Sequence, residues 1–250
     1  MISWVQAALL GLMSCCAAST IACLGTTVGN YTLNRPLIAS VFVGLILGDV
    51  KGCIQIAVPM QIIYIALVTP GGTVAADLRA VSYIGIPLAW ALAKSQGLDL
   101  GGSEASGLAG ALGAMVGTVG TVQFYGTAMM NLVWQHIGWA RLDKKDFSII
   151  GKVEVIFPLI SHLLISFIPV MLIVYYGADA VDQFKEALPM GSWYMKSLFT
   201  LGSLLPAVGI AILLKSVVNK ATDLIFFLFG FTLAGSMHLT LIAATAVGAV

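Results

Sequence analysis

The first charged side chain of this sequence is Arg35; no Lys, Arg, Asp or Glu precedes it. Charge stays scarce after that point. Only 9% of the residues are charged and 59% are hydrophobic, whereas a soluble domain carries about 25% charged residues. A soluble fold of this size cannot hide so much apolar surface, so lipid must cover it. The expectation is an all-α polytopic membrane protein, one domain over residues 1–250, whose partner on most of its surface is the lipid bilayer. A formal net charge of +1 gives no electrostatic footprint for nucleic acid.

The few charges mark the ends of the apolar segments. Residues 4–26 are long enough for a full span. Residues 36–48, between Arg35 and Asp49, make only about 20 Å of helix, and the hydrocarbon core is about 30 Å thick. That helix must tilt into protein or continue past Asp49. Residues 52–68 contain Pro59, and residues 80–93 are interrupted by Pro87. Residues 105–133 are uncharged, with Gly107, Gly110, Gly113, Gly117 and Gly120 on one helical face, where backbones can approach closely. Residues 155–178 read as a conventional span, and so do 197–214, kinked at Pro206 and Gly209. Residues 224–250 make one long span or two half-helices meeting at Gly235-Ser-Met-His238. Basic residues in short loops set orientation. Loop 136–152, with Arg141, Lys144, Lys145 and Lys152, belongs in the cytoplasm, and loop 179–196 belongs outside.

Between two apolar segments lies Val68-Thr-Pro-Gly-Gly-Thr-Val-Ala-Ala-Asp-Leu-Arg79. Short hydrophobic segments interrupted by Gly and Pro are the best sequence pointer to a transporter's substrate site. Non-helical backbone at membrane depth must be sheltered by protein or line a wet cavity. The stretch is therefore expected to be a re-entrant turn or unwound hinge. The alternative is an aqueous loop, in which Asp77 and Arg79 would both be comfortable.

Little chemistry is available elsewhere. No metalloprotease, nucleophile-elbow, Walker or dinucleotide motif occurs. His136, His162 and His238 are far apart and have no carboxylate at ligand spacing, so no metal, cofactor or catalytic residue is expected. Cys15, Cys16, Cys23 and Cys53 read as small packing residues. Leu12-Met-Ser-Cys15 resembles the end of a lipoprotein leader, but it lacks the preceding basic residues. Polar groups gather instead at Gln55, Gln61, Thr69, Thr73 and Asp77. Amides that donate and accept, a carboxylate that accepts, and the N–H groups of Gly71 and Gly72 suit a neutral polyol. They suit a bare cation or an anion less well. The competing reading makes Gln55 and Gln61 interhelical glue.

Asn34-Arg-Pro-Leu-Ile-Ala39 followed by Gly44-Leu-Ile-Leu-Gly-Asp-Val-Lys51 resembles a hallmark of the IIC component of mannose/fructose/sorbose-type phosphotransferase-system permeases. Val58-Pro-Met-Gln-Ile62, Thr69-Pro-Gly-Gly72, Ala76-Asp77, Ala187-Leu-Pro189 and Leu204-Leu-Pro-Ala-Val-Gly209 extend the resemblance over nearly the whole chain. Two positions depart from the pattern: Gln61 stands where the family has Glu, and Ala76 where it has Pro. The resemblance implies a mobile core against a scaffold, with a hexose-like sugar moved by an elevator-like shift in a bacterial cytoplasmic membrane. It implies a IID membrane partner, trimers of IIC–IID pairs, and a soluble IIAB component that phosphorylates the sugar. It also makes Gln61, Thr69 and Asp77 sugar contacts, with Gly71, Gly72 and Thr73 in the turn that brings backbone to the ligand. The reading set against it is a stand-alone ion-coupled secondary transporter of a small polar solute, against which the scarcity of intramembrane carboxylates argues.

Overall fold

The computed structural model describes residues 2–18, 24, 26–65, 67, 76–187, 193, 207–208, 210–218, 220–237 and 247. Every regular element among them is helical. The first helix, α1 (Trp4–Cys16), opens with a capping box: Gln6 N–H donates to Ser3 Oγ and Ser3 N–H donates to Gln6 Oε1. It does not run through to residue 26. The N–H groups of Ala17 and Ala18 turn back to the Met13 and Cys15 carbonyls. A π-helical stretch, Thr26–Leu33, crosses the end of α1. A Cβ on Gly29 would lie 2.8 Å from the Cys16 carbonyl oxygen. A backbone crossing thus ends a helix that local propensity would have continued.

The next two helices form a hairpin. Helix α2 (Pro36–Leu47) ends at Gly48, which takes φ +78°. Asp49 then caps α3 (Val50–Ile63) by accepting from Gly52 N–H. The short segment 36–48 therefore neither tilts across nor continues past Asp49; the chain reverses. Twelve and fourteen helical residues span about 18 and 21 Å, less than the hydrocarbon thickness, so neither helix crosses it alone. At its turn Asp49 accepts from Lys94 Nζ at 2.8 Å and from Trp90 Nε1 at 3.0 Å. These bonds, with the Gly52 N–H, hold its carboxyl down to about 2.

Leu78–Ala80, the π-helical Val81–Gly85 and Ile86–Ser95 follow one another without a gap and together form α4. Pro87 does not interrupt it. Proline lacks an N–H and its ring clashes with the carbonyl four residues back. Here the preceding turn is widened: Ile86 N–H bonds the Val81 carbonyl, five residues away. The same device recurs in α6, which comprises Lys152–Ile156 (π), Phe157–His162, Leu163–Phe167 (π) and Ile168–Ala187. Pro158 and Pro169 each stand second after a π turn. Between α4 and α6 runs α5 (Ser103–Leu142), forty residues long, or about 60 Å. It passes well beyond residue 133, so the expected loop 136–152 shrinks to the turn Asp143–Asp146. Helix α6 likewise takes up much of the expected loop 179–196. Residues 210–217 and α7 (Leu224–Met237) are also helical. Pro206, Gly209 and His238 lie outside the described residues.

Helix α4 is central. It is buried on all sides from Leu78 to Pro87, as an all-round apolar helix requires, and it packs against α1, α2, α3, α5 and α6. The glycine face of α5 is observed as expected: Gly107, Gly110, Gly113, Gly117 and Gly120 are all buried. A Cβ on Gly113 would lie 2.9 Å from Met60 Cγ, and one on Gly120 would overlap Ala80 Cβ and lie 3.1 Å from Asp77 Cβ. The outer faces of α5 and α6 expose large apolar residues such as Val119, Val122, Met129, Leu164 and Tyr176; these are the surfaces that lipid covers.

Two outcomes follow from this packing. Gly120→Ala should destabilise the protein by about 1–3 kcal/mol, because Ala80 Cβ cannot rotate away. Gly151→Ala, with nothing within 4 Å, should be neutral or gain up to about 1 kcal/mol; thermal unfolding in detergent compares them. The lowered Asp49 pKa stabilises the fold above the usual carboxylate value of 3.8, and that contribution is lost as pH falls toward about 2. With Lys94 replaced by Ala, the variant should be less stable than the wild type above about pH 3.8, and the difference should shrink as pH falls toward about 2. The half-exposed pair limits the effect to under about 1 kcal/mol.

Candidate functional site

Three helix ends meet, two of them on the glycine face of α5. The C-terminal end of α3 arrives at Tyr64, whose hydroxyl donates to the Gly113 carbonyl at 3.1 Å. The N-terminal end of α4 arrives at Asp77, whose N–H donates to the Gly117 carbonyl at 2.9 Å. The N-terminal end of α2 is tied to both: Leu37 N–H donates to Gln61 Oε1 at 3.3 Å. Ser82 Oγ and Tyr83 Oη, on α4, donate to the carbonyls of Asn34 and Leu33. An α-helix leaves its first four N–H groups and last four carbonyls without intrahelical partners. Such a meeting of ends concentrates backbone donors and acceptors in one place.

Gln61 thus acts as a tertiary cap for α2. Thr69, Gly71, Gly72 and Thr73 lie outside the described residues, as does the proposed break itself. The chain on either side of it is pinned at Tyr64 and Asp77 to carbonyls one helical turn apart on α5. Gln55 lies elsewhere. It lines a shallow depression of about 420 Å³ with Asp49, Lys51, Lys94 and Asp99, at the turn of the hairpin.

Asp77 and Arg79 are not in an aqueous loop; their relative exposures are 3% and 4%. Asp77 Oδ1 accepts from Arg79 N–H at 2.9 Å and from Nε at 3.1 Å, and Oδ2 accepts from Nη2 at 2.8 Å. The guanidinium also reaches Ser166 Oγ at 3.5 Å and lies 6.0 Å from the centroid of Phe124. His162, buried on α6, shares Ser166 through Nδ1 at 3.4 Å and accepts from Cys15 Sγ at its carbonyl. His136 bonds the Leu132 carbonyl. Sequence reasoning assigned Asp77 to the site but left Arg79 without a partner. The signal was present: two opposite charges two residues apart, at the start of a helix with no further charge before Lys94. Ser166 and Phe124 carried no such signal. A carboxylate offers about four acceptor positions, of which three are taken here. Among the described residues, Arg79 supplies all three of these bonds.

Asp77→Asn should leave the Arg79 charge buried without its counter-ion, at a cost of about 3–5 kcal/mol. The double variant Asp77→Asn/Arg79→Gln should recover most of that loss. Thermal unfolding of the two variants checks it, and equal destabilisation by both would remove the pair from the fold's support.

The whole chain has known relatives. Residues 4–250 match the family model EII-Sor, described as the PTS system sorbose-specific iic component. The sorbose-specific EIIC component of Klebsiella pneumoniae and the mannose-specific EIIC component of Escherichia coli K12 are each 24% identical over 249 residues. Each match covers 100% of this chain and 87% of the relative. The sorbose-specific EIIC component of Lacticaseibacillus casei is 26% identical over 230 residues, covering 92% of this chain and 78% of the relative. A solved membrane-protein structure superposes with a TM-score of 0.75 at 20% identity, covering 100% of this chain and 94% of its own. The complex of the mannose transporter ManYZ with microcin E492 gives 0.54 at 22% identity, covering 99% and 93%. These likenesses show a shared all-helical membrane fold. The chain belongs to the sorbose-type IIC family of the phosphotransferase system.

Proposed function

We propose that this chain is the sugar-translocating IIC subunit of a mannose-family phosphotransferase system. It carries a hexose-like sugar across the bacterial cytoplasmic membrane for phosphorylation by a soluble IIAB component. The family match over residues 4–250 is the observation that carries this reading. The named relatives are specific for sorbose and mannose, both small neutral polyols. The chain serves as a transport subunit and leaves catalysis to its phosphocarrier. Its membrane partner is a IID chain, as the two-component ManYZ complex suggests by analogy, and the pairs assemble as trimers.

The sugar binds where the three helix ends meet. Gln61 and Asp77 contribute side chains, and Thr69, Gly71, Gly72 and Thr73 contribute hydroxyls and close backbone. Each sugar hydroxyl left unpaired in a buried site costs about 1–3 kcal/mol, so several convergent partners are required. The ends of α2 and α4, with Gln61 and Asp77 at them, offer that kind of surface. Movement follows from a mobile core sliding against a scaffold.

Reconstitution tests this directly. Vesicles containing this chain with its IID partner should take up radiolabelled mannose or sorbose only when IIAB and a phosphoryl donor are present inside. Uptake by the isolated chain, driven by a Na⁺ or H⁺ gradient, would establish the ion-coupled alternative instead. Within the working system, Gln61→Ala should lower uptake about tenfold, whereas Gln61→Glu keeps the α2 cap and should retain most of it.

A further inference from the structure

The turn between α5 and α6 carries charge that the site described above does not use. Arg141, Lys144, Lys145 and Lys152 are all exposed there. A Cβ on Gly138 would lie 3.1 Å from Val153. The two helices run antiparallel, so Arg141 and Lys152 stand within about one turn of each other on facing helices. Apolar side chains continue up to the edge of this cluster. Trp139, just before the turn, is 56% exposed, and Phe147, just after it, is 66% exposed. Val133 and Ile137 on α5 and Val155 and Ile156 on α6 are exposed as well. Lipid chains cover such residues, and tryptophan sits at headgroup level. The basic side chains therefore lie where the headgroups begin.

Two of the lysines occupy positions that local structure does not favour. The last turn of α5 closes as a Schellman motif. Lys145 N–H donates to the Leu142 carbonyl at 2.8 Å, and Asp146 N–H donates to the Arg141 carbonyl at 3.1 Å. Lys145 takes the left-handed position, with φ +61°, which glycine fills most readily. Lys152 opens α6, and the N-terminal end of a helix favours anions. The carboxylates of the turn answer neither lysine. Asp146 Oδ1 accepts from the N–H and the hydroxyl of Ser148, and Oδ2 reaches Arg141 at 3.5 Å. Among the described residues, Lys145 and Lys152 make no ion pair. An anion from outside the chain would answer both, and the adjoining leaflet supplies one.

We propose that the α5–α6 turn binds the phosphate headgroup of an anionic phospholipid, held by Arg141, Lys145 and Lys152, with the acyl chains against Trp139 and Phe147. Basic clusters between transmembrane helices at a cytoplasmic end recognise such headgroups. The guanidinium grips two phosphate oxygens, and the ammonium groups add point charges. The bound lipid ties the ends of α5 and α6 together, whatever solute the chain carries.

The test uses the complex of this chain with its IID partner, purified in detergent. It is titrated with phosphatidylglycerol, phosphatidylcholine or inorganic phosphate while thermal unfolding is followed. Phosphatidylglycerol should raise the midpoint, and the gain should shrink at high salt. Lys145→Gly relieves the left-handed backbone, so stability in detergent should hold or rise, while phosphatidylglycerol affinity falls about fivefold. Lys152→Gln should weaken it by a similar factor. Equal stabilisation by phosphatidylcholine overturns the proposal in favour of general lipid cover. Equal stabilisation by inorganic phosphate overturns it in favour of a simple anion site. Unchanged phosphatidylglycerol affinity in both variants overturns it as well, and loss of IIAB binding in those variants would then assign the turn to the phosphocarrier.

Discussion

At the level of Gly120 the long helix α5 carries no side chain, and Ala80 fills the space a Cβ would need. Helices α4 and α5 therefore meet almost backbone to backbone. In lipid the hydrophobic effect does not drive helices together, and association depends on close packing and interhelical hydrogen bonds. The Gly113–Gly117–Gly120 face meets both needs. It admits Met60, Tyr64 and Ala80, and its carbonyls accept from Tyr64 Oη and Asp77 N–H. The placement of α3, the entry of α4 and the position of the Asp77–Arg79 pair all depend on that approach.

Proline is the second constraint. Three of the helical prolines, Pro87, Pro158 and Pro169, follow a π turn in which the N–H before the proline bonds a carbonyl five residues back. The widened turn makes room for a ring that an α-helical turn would reject. The helices stay continuous, and local adjustment of this kind is what lets proline persist inside a bilayer. Pro59 sits inside α3 without a π turn of its own, four residues before that helix ends beside the candidate site.

Much of the architecture was legible because charge and glycine leave strong marks in an apolar sequence. Arg35 and Asp49 bracketed α2 closely, and the glycine spacing identified the packed face of α5. The misplacements have physical causes. The end of α1 is set by a tertiary crossing at Gly29, which no local pattern announces. Pro87 looked like a break because hydrogen-bond register does not show in residue order. The loop 136–152 was drawn too long because His136, Arg141 and their neighbours are as compatible with the exposed end of a helix as with a loop. At the site, Asp77 was readable from its rarity. Its bond to Arg79 depends on the N-cap geometry at the start of α4, and Ser166 and His162 lie far away in sequence.

The charge balance of the site is itself a constraint on its ligand. Asp77 and Arg79 bond each other through both carboxylate oxygens, so the pair contributes no net charge. The cap on α2 is the amide of Gln61. The N-terminal ends of α2 and α4 each present the equivalent of about half a positive charge, and each is already answered, by Gln61 and by Asp77. An anion entering here would find no uncompensated positive centre, and a cation would find no free carboxylate. A neutral polyol asks only for donors and acceptors in close array, and converging helix ends supply those without the cost of burying another charge.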